Sequence, residues 1–269
     1  MEPQLSEWEL RRFARQIVLP EVGGVGQARL RASTVAVIGT GGLGSPLALY
    51  LAAAGVGRLV VIDHDLVDET NLHRQILFAE PDLGRPKAEA AKARLEALGS
   101  GVEVVAVAER LDDTNAARLL AGADVVADGS DNFPTRLAVQ RACLELRRPL
   151  VSAAVQGMDG QLTTFLAHLG PPHPCLACLF PEPPAAGALP SCAQGGVLGP
   201  AAGVMGTLQA VEAMRLLLGQ EPELSGVLLL YDARRASFTR LRFARRPDCR
   251  LCAAVARVDG PVAPLSRLD

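Results

Sequence analysis

Aromatic side chains are scarce in this chain, with 1 Trp, 2 Tyr and 7 Phe in 269 residues, so a core has to be built from Ala, Leu and Val. Charge of one sign is lacking too. Lys and Arg number 27 against 29 Asp and Glu, a net charge of −2, and no global field draws the chain to nucleic acid or to an anionic membrane. The N-terminal "MEPQLSEWELRRF" has mixed charge and lacks the apolar run of a signal peptide, which leads us to expect a cytoplasmic protein. No uninterrupted membrane-length run is present either. The most apolar tract, "GVLGPAAGVMGTLQAVEAMRLLLG", is broken by Gln209, Glu212 and Arg215 at helical spacing, and reads as a helix buried on most sides. Six cysteines in a reducing compartment argue against a disulfide framework. Repeats and low-complexity tails are absent from the sequence, whose length allows one large domain with a substantial core.

What is present is a rhythm. From Thr34, strand and helix patterns take turns: "TVAVIG", a helix from Leu43 to Ala54, "RLVVID", helix "KAEAAKARLEAL", "VEVVAVA", a helix around "NAARLL", "DVVADG", helix "FPTRLAVQRACLEL", then "PLVSAAV". Short connections imply crossover units and a parallel sheet covered on both faces. After Val155, "GQLTTFLAH" and "GVLLLYDARRASFTRLRF" read as strands with only one long helix, near Val204 to Leu218, between them. The expectation is an α/β protein. It has a Rossmann-like, mostly parallel sheet with helices on both faces, extended by antiparallel C-terminal strands. Ahead of the sheet, "LSEWELRRFARQIVL" predicts one amphipathic helix ending near Pro20. "FPEPPAAGALPSCAQGG" predicts an extended crossover, not a linker between domains. A single domain over 1–269 is expected, with a helical arm (5–32), a nucleotide-binding part (33–155) and an antiparallel part (156–255).

Gly39, Gly41 and Gly44 fall on the G-x-G-x-x-G spacing between the first strand and its helix. Such a loop lets backbone N–H groups approach a phosphate, helped by the partial positive charge of the helix N-terminus. Asp63, ending the second strand, can accept hydrogen bonds from ribose hydroxyls, and a dehydrogenase would look the same to this point. The difference lies in "DHDLVDETNLHRQ" and "GRPKAEAAKARLEAL". These place Asn71, Arg74 and Gln75 in the next loop and Lys87 at the start of a helix, with cations where a triphosphate would extend. As single positions, Arg74 and Lys87 read equally well as solvated surface charges. The fourth strand ends in "DGSDN", which puts Asp128, Asp131 and Asn132 at the carboxyl edge of the sheet. A carboxylate there is expected to hold Mg²⁺ beside a triphosphate; Asp131 and Asn132 are equally suited to capping the following helix.

"RFARQI", "GTGGLG", "DHDLVDETNLHRQ", "GRPKAEAA", "DGSDN", "CLAC", "SCAQGGVLGPAAGVMGTLQAVEAMRLL" and "CRLC" follow one another as in the HesA/MoeB/ThiF family. From Leu10 to Cys252 the chain resembles these bacterial relatives of ubiquitin-activating enzymes. The resemblance implies ATP, not NAD, in the glycine loop. The reaction implied is adenylation of the C-terminal glycine of a small ubiquitin-like sulfur-carrier protein ending in Gly-Gly. It also implies a nucleotide pocket made by Gly42, Asp63, Asn71, Arg74, Lys87, Asp131 and Asn132, with Asp131 nearest magnesium. Arg15, Arg74 and Lys87 would supply positive charge to the reaction. Arg15, in "RQI", matches an arginine that reaches into the partner's site, which implies a homodimer. No fused sulfurtransferase domain is expected beyond Cys252, so a separate sulfur donor is implied. In one departure, the usual C-x-x-A-G-V reads Cys192-Ala193-Gln194-Gly195-Gly196-Val197, a looser loop.

The cysteines form two knuckles, Cys175-x-x-Cys178 and Cys249-x-x-Cys252, the ligand set of a closed structural Zn²⁺ site that staples the C-terminal tail back onto the fold. Arg234, Arg235, Arg240, Arg242, Arg245, Arg246 and Arg250 lie near the second knuckle. Nucleic-acid binding there is opposed by the acidity of the rest of the chain, and a solvated face or a docking surface for an acidic carrier is preferred. Cys143 sits in an apolar helical pattern and reads as core. Cys192 is a lone thiol in the crossover and a candidate nucleophile. In the thiazole branch of the family the matching cysteine forms an acyl-disulfide with the carrier, and in the molybdopterin branch it is dispensable. The alternatives to an adenylyltransferase are a nicotinamide dehydrogenase and a non-catalytic carrier-binding module.

Overall fold

The computed structural model describes residues 5–182 and 195–255. The arm consists of α1 (Glu7–Arg12), α2 (Ala14–Ile17) and α3 (Gly23–Ala32). The single helix expected over its first part is therefore broken at Phe13, whose φ of −102° and ψ of 11° close α1 and open α2. Phe13 is buried, and a Cβ added to Gly55 would lie 2.6 Å from its Cζ. Seating that ring wins over helix continuity because Trp8, Leu10, Val18 and Leu19 are exposed, so a continuous helix would find no apolar seat to stabilise it. Gln16 fixes α2 to the domain, donating to Gln27 Oε1 at 2.7 Å and to the Ala54 carbonyl at 3.0 Å.

Then come β1 (Thr34–Ile38), α4 (Gly44–Ala53), β2 (Arg58–Ile62), α5 (Lys87–Glu96), β3 (Glu103–Val107), α6 (Ala116–Leu120), β4 (Val125–Asp128), α7 (Phe133–Glu145) and β5 (Leu150–Gln156). These five strands pair in parallel in the order β3-β2-β1-β4-β5. Val35 and Val37 of β1 pack into one apolar layer with Leu47, Leu51 and Met205, while Ala36 and Ile38 pack into the other with Leu120 and Val139. Both faces are thus covered, as a parallel sheet requires. Each fully buried Leu stabilises the fold by about 1.5–3 kcal/mol.

β6 (Asp159–Phe165), α8 (Leu176–Leu179), α9 (Gly199–Leu217), β7 (Val227–Asp232) and β8 (Ser237–Arg242) complete the described chain. β6, β7 and β8 add antiparallel to the β5 edge, giving an eight-stranded mixed sheet. α9 starts at Gly199, ahead of the expected Val204, because Pro200 sits in the first turn, where no N–H is needed. The strand order turns at β1, with β2 on one side and β4 on the other. The loops after β1 and β4 part there, leaving the crevice in which open α/β sheets bind ligands.

Candidate nucleotide site and cysteine cluster

The glycine loop closes over that crevice. Gly39 has φ +78°, and a Cβ on Gly44 would lie 1.8 Å from the Gly39 carbonyl oxygen, so the turn into α4 tolerates no side chain there. The Gly129 N–H donates to the Ile38 carbonyl at 3.0 Å, which holds the loop after β4 beside the one after β1. Asp63 Oδ2 accepts from Thr40 N and from Thr40 Oγ1, both at 2.7 Å, and its Oδ1 accepts from Asp65 N at 3.0 Å. The end of β2 therefore fixes the glycine loop.

The sequence-derived residues converge here. One cleft is lined by Gly39, Gly41, Asp63, Asn71, Arg74, Gln75, Lys87, Asp131 and Asn132. Lys87, the first residue of α5, is buried, and its Nζ lies 3.0 Å from Asp65 Oδ2, so it is no solvated surface charge. Arg74 donates to Asn71 Oδ1 at 2.7 Å and to the Thr70 carbonyl at 2.9 Å. Gln75 Nε2 reaches the same Asn71 oxygen at 3.0 Å, while its Oε1 is buried without a partner among the described residues. Asn132, not Asp131, caps α7, accepting from Thr135 N at 3.0 Å. Asp131 stays exposed in the cleft, approached by Asn132 Nδ2 at 3.4 Å. Asp128 is fully buried, and that burial pushes its carboxyl pKa up. Gly42 packs against α9, where an added Cβ would lie 3.2 Å from that of Ala202.

Arg15 is exposed on α2 and does not line this cleft. Cys192 lies outside the described residues, as does most of the proposed crossover. Thr40, Asp65, Ser130, Glu109 and Arg110 also stand at the site without a motif in the sequence that singles them out. Glu109 and Arg110 follow β3, and the rule that ligands gather at the carboxyl ends of the strands was the signal available for them.

The ThiF family matches residues 13–251. The chain belongs to that family. It is 49% identical over 247 residues to the sulfur carrier protein adenylyltransferase of Thermus thermophilus, covering 91% of each chain. It is 46% identical over 252 residues to the SAMP-activating enzyme E1 of Haloferax volcanii, covering 94% of this chain and 92% of that one. Against bovine adenylyltransferase and sulfurtransferase MOCS3 it is 51% identical over 249 residues, which is 92% of this chain but only 54% of the relative. E. coli MccB solved with ATP shares the fold, with a TM-score of 0.78 at 22% identity over 93% of this chain and 77% of that one.

This ThiF-family chain also brings its two cysteine knuckles together. Cys175, Cys178, Cys249 and Cys252 are all buried, and their sulfurs lie within 4.8 Å of one another. Cys175 and Cys178 are 3.8 Å apart, and the Cys175–Cys249 and Cys178–Cys252 pairs are 3.5 Å apart. Tetrahedral Zn–S bonds of about 2.3 Å place sulfurs about 3.8 Å apart, so the cluster fits zinc. Burial pushes the Cys252 thiol up to about 12 and Cys175 also upward, so a bound cation would offset a substantial cost of ionising them. The knuckles join at α8 and the end of α7, where Leu144 packs against them. Cys143 is a buried core thiol, shifted upward by desolvation. The basic patch is partly neutralised by its own neighbours. Arg234 pairs with Asp159 at 2.9 Å, Arg240 with Glu223 at 3.4 Å and Arg246 with Asp248 at 3.1 Å. Among the described residues, no helix is long and apolar enough to cross a membrane.

Proposed function

We propose that this chain adenylates the C-terminal glycine of a small ubiquitin-like sulfur-carrier protein. The observation that carries the reading is the meeting of Arg74 from the loop after β2, Lys87 from the start of α5 and Asp131 from the loop after β4 in one cleft beside the glycine loop. The names of the relatives from Thermus thermophilus and Haloferax volcanii support it.

A carrier carboxylate oxygen attacks the α-phosphorus of ATP, the bond to the bridging oxygen breaks, and pyrophosphate leaves with that electron pair. The product is an acyl-adenylate. The nucleophile is already an anion at neutral pH, so no general base is required, and the chain has to supply position and positive charge. Arg74 and Lys87 line the same cleft as Gly41, which supports their role in neutralising a polyphosphate. Asp131, a hard oxygen donor open to the cleft, suits Mg²⁺, which takes one or two carboxylates along with substrate phosphates. When bound, that ion would neutralise phosphate charge. Zinc would be structural, since four cysteine sulfurs leave no open position.

Arg15 belongs to this reading as a residue delivered by a second copy of the chain. Its exposure away from its own cleft, and the exposed Trp8, Leu10, Val18 and Val25 elsewhere on the helical arm, support a homodimer. The antiparallel part is the carrier-docking half, and a separate donor supplies sulfur, in the molybdopterin or the thiazole pathway. Cys192 is the thiol proposed for any covalent carrier adduct, and the five free buried cysteines among the described residues suit a cytoplasmic setting.

Carrier-dependent exchange of labelled pyrophosphate into ATP tests the adenylation step. Purified protein given carriers ending in Gly-Gly should catalyse exchange, and none without a carrier. Absence of exchange across molybdopterin-type, thiazole-type and archaeal carriers overturns the reading.

A further inference from the structure

Two side chains from opposite layers of the fold grip the loop that carries Asp131. The β4–β5 ladder ends at the pair Asp128–Ser152. From α9, Gln209 is completely buried, and its Nε2 donates to the carbonyls of Asp128 and Val151, both at 2.9 Å. From α7, Arg136 Nη2 donates to the carbonyls of Ser130 and Ala153, at 2.5 and 3.1 Å. The second pair of carbonyls lies two residues further along both strands than the first.

Gln209 therefore braces the two strands at the last pairs of the ladder, and Arg136 joins the β4 side to the β5 side just beyond it, where the ladder has ended. The amide orientation of Gln209 is settled by chemistry, because turning it would set Oε1 against two carbonyl oxygens. Neither residue reaches the cleft through its own contacts. What they hold is the backbone on either side of Gly129, between Asp128 and Ser130, one residue before Asp131. The same α9 presses on two other loops of the site: a Cβ on Gly206 would lie 2.2 Å from the Leu43 carbonyl oxygen, and one on Gly199 would lie 2.7 Å from that of His73.

We infer that Gln209 and Arg136 are positioning residues that hold Asp131 in register with the nucleotide site. Resting on the proposed role of Asp131 toward Mg²⁺ and ATP, this assignment adds two residues that act through the backbone. Loosening either grip lets the loop move without removing a ligand, and a carboxylate contributes to a metal–phosphate complex only within a few tenths of an ångström of its place.

The test needs no carrier. ATP affinity is measured by calorimetry on the full chain with and without Mg²⁺, for wild type, Arg136→Met, Arg136→Lys, Gln209→Met and Asp131→Asn. Arg136→Met and Gln209→Met should reduce the Mg²⁺-dependent gain in affinity by about tenfold, the scale of coupling a displaced support carries. ATP affinity without Mg²⁺ should stay unchanged. Arg136→Lys, which keeps a cationic donor group but loses the reach and planar fork of the guanidinium, should recover part of the loss. In the Asp131→Asn background the same substitutions should cost no further Mg²⁺-dependent affinity. Gln209 is fully buried, so Arg136→Met, at a partly exposed position, carries the test if Gln209→Met does not fold. If the folded variants keep the full Mg²⁺-dependent gain, or lose affinity equally with and without Mg²⁺, the two residues only support the fold and the inference falls. Wild-type protein that binds no ATP overturns the nucleotide reading itself, a separate result.

Discussion

Lys87 Nζ lies 3.0 Å from Asp65 Oδ2, with the lysine side chain 6% exposed and the aspartate 54%. The ammonium is buried and its counter-ion is half in water, an arrangement that does little for stability and leaves the charge available to a phosphate. Removing one partner of an ion pair is costly when the other charge is left buried, but Asp65 is half exposed and can be rehydrated, while the desolvation cost of the buried ammonium is relieved. Lys87→Met should therefore leave the melting temperature equal to or above wild type while lowering kcat of pyrophosphate exchange by about 10²–10³-fold, as losing one preorganised charge does. Thermal melts and exchange kinetics on the same preparation check both halves.

Gly44 and Gly41 should separate folding from binding. A Cβ at Gly44 meets the Gly39 carbonyl at 1.8 Å, whereas at Gly41 its nearest neighbour is Gln75 Nε2 at 3.7 Å. Gly44→Ala is expected to destabilise the domain by several kcal/mol. Gly41→Ala should melt like wild type and lose ATP affinity, because its methyl group enters the path of the phosphates. Denaturant titrations and calorimetric ATP binding distinguish the two.

His168 sets an acid limit. It is buried with Nδ1 unpartnered among the described residues, and burial, followed by the nearby Arg147 charge, lowers its pKa to about 4. In the unfolded chain the value returns to about 6.5. Between those values the unfolded chain binds a proton that the folded chain refuses, so stability is complete above pH 6.5 and falls as pH drops toward 4. The loss is up to about 3 kcal/mol at its full extent. His168→Gln should flatten this part of the stability–pH curve in urea titrations between pH 4.5 and 7; an unchanged slope would assign acid sensitivity elsewhere.

Metal analysis should find about one zinc per chain in protein purified without added metal. Cys178→Ser should lower both zinc content and melting temperature, and Cys143→Ser should leave zinc content unchanged. Equal melting temperatures before and after chelation would remove the structural role.

Complementation tests where Arg15 acts. Arg15→Ala and Asp131→Ala chains, each inactive alone, should regain part of the exchange activity after subunit mixing, since one site of the mixed dimer then has an intact Asp131 and the partner's intact Arg15. Demonstrated mixing without recovery places Arg15 in its own subunit's site.

Alternation of short apolar runs with helical periods made the parallel sheet legible, because strand and helix periods are local properties of the chain. Glycine spacing and the residues at strand ends marked the crevice for the same reason: a parallel sheet always gathers those ends along one edge. The paired Cys-x-x-Cys knuckles were legible as a four-thiol ligand set through spacing alone, and the fold brings them together. Tertiary structure decided what depends on residues far apart meeting. Phe13 breaks the first helix because its ring finds Gly55. Asp63 spends its oxygens on Thr40 and Asp65, and Lys87 is buried against Asp65 although its type suggests the surface. Gln209, which read only as a polar interruption in an apolar helix, joins Asp128 to Val151 across two strands. Such side chains go where buried carbonyls and charges can take a partner, and those places arise only once the sheet and its covering helices have packed.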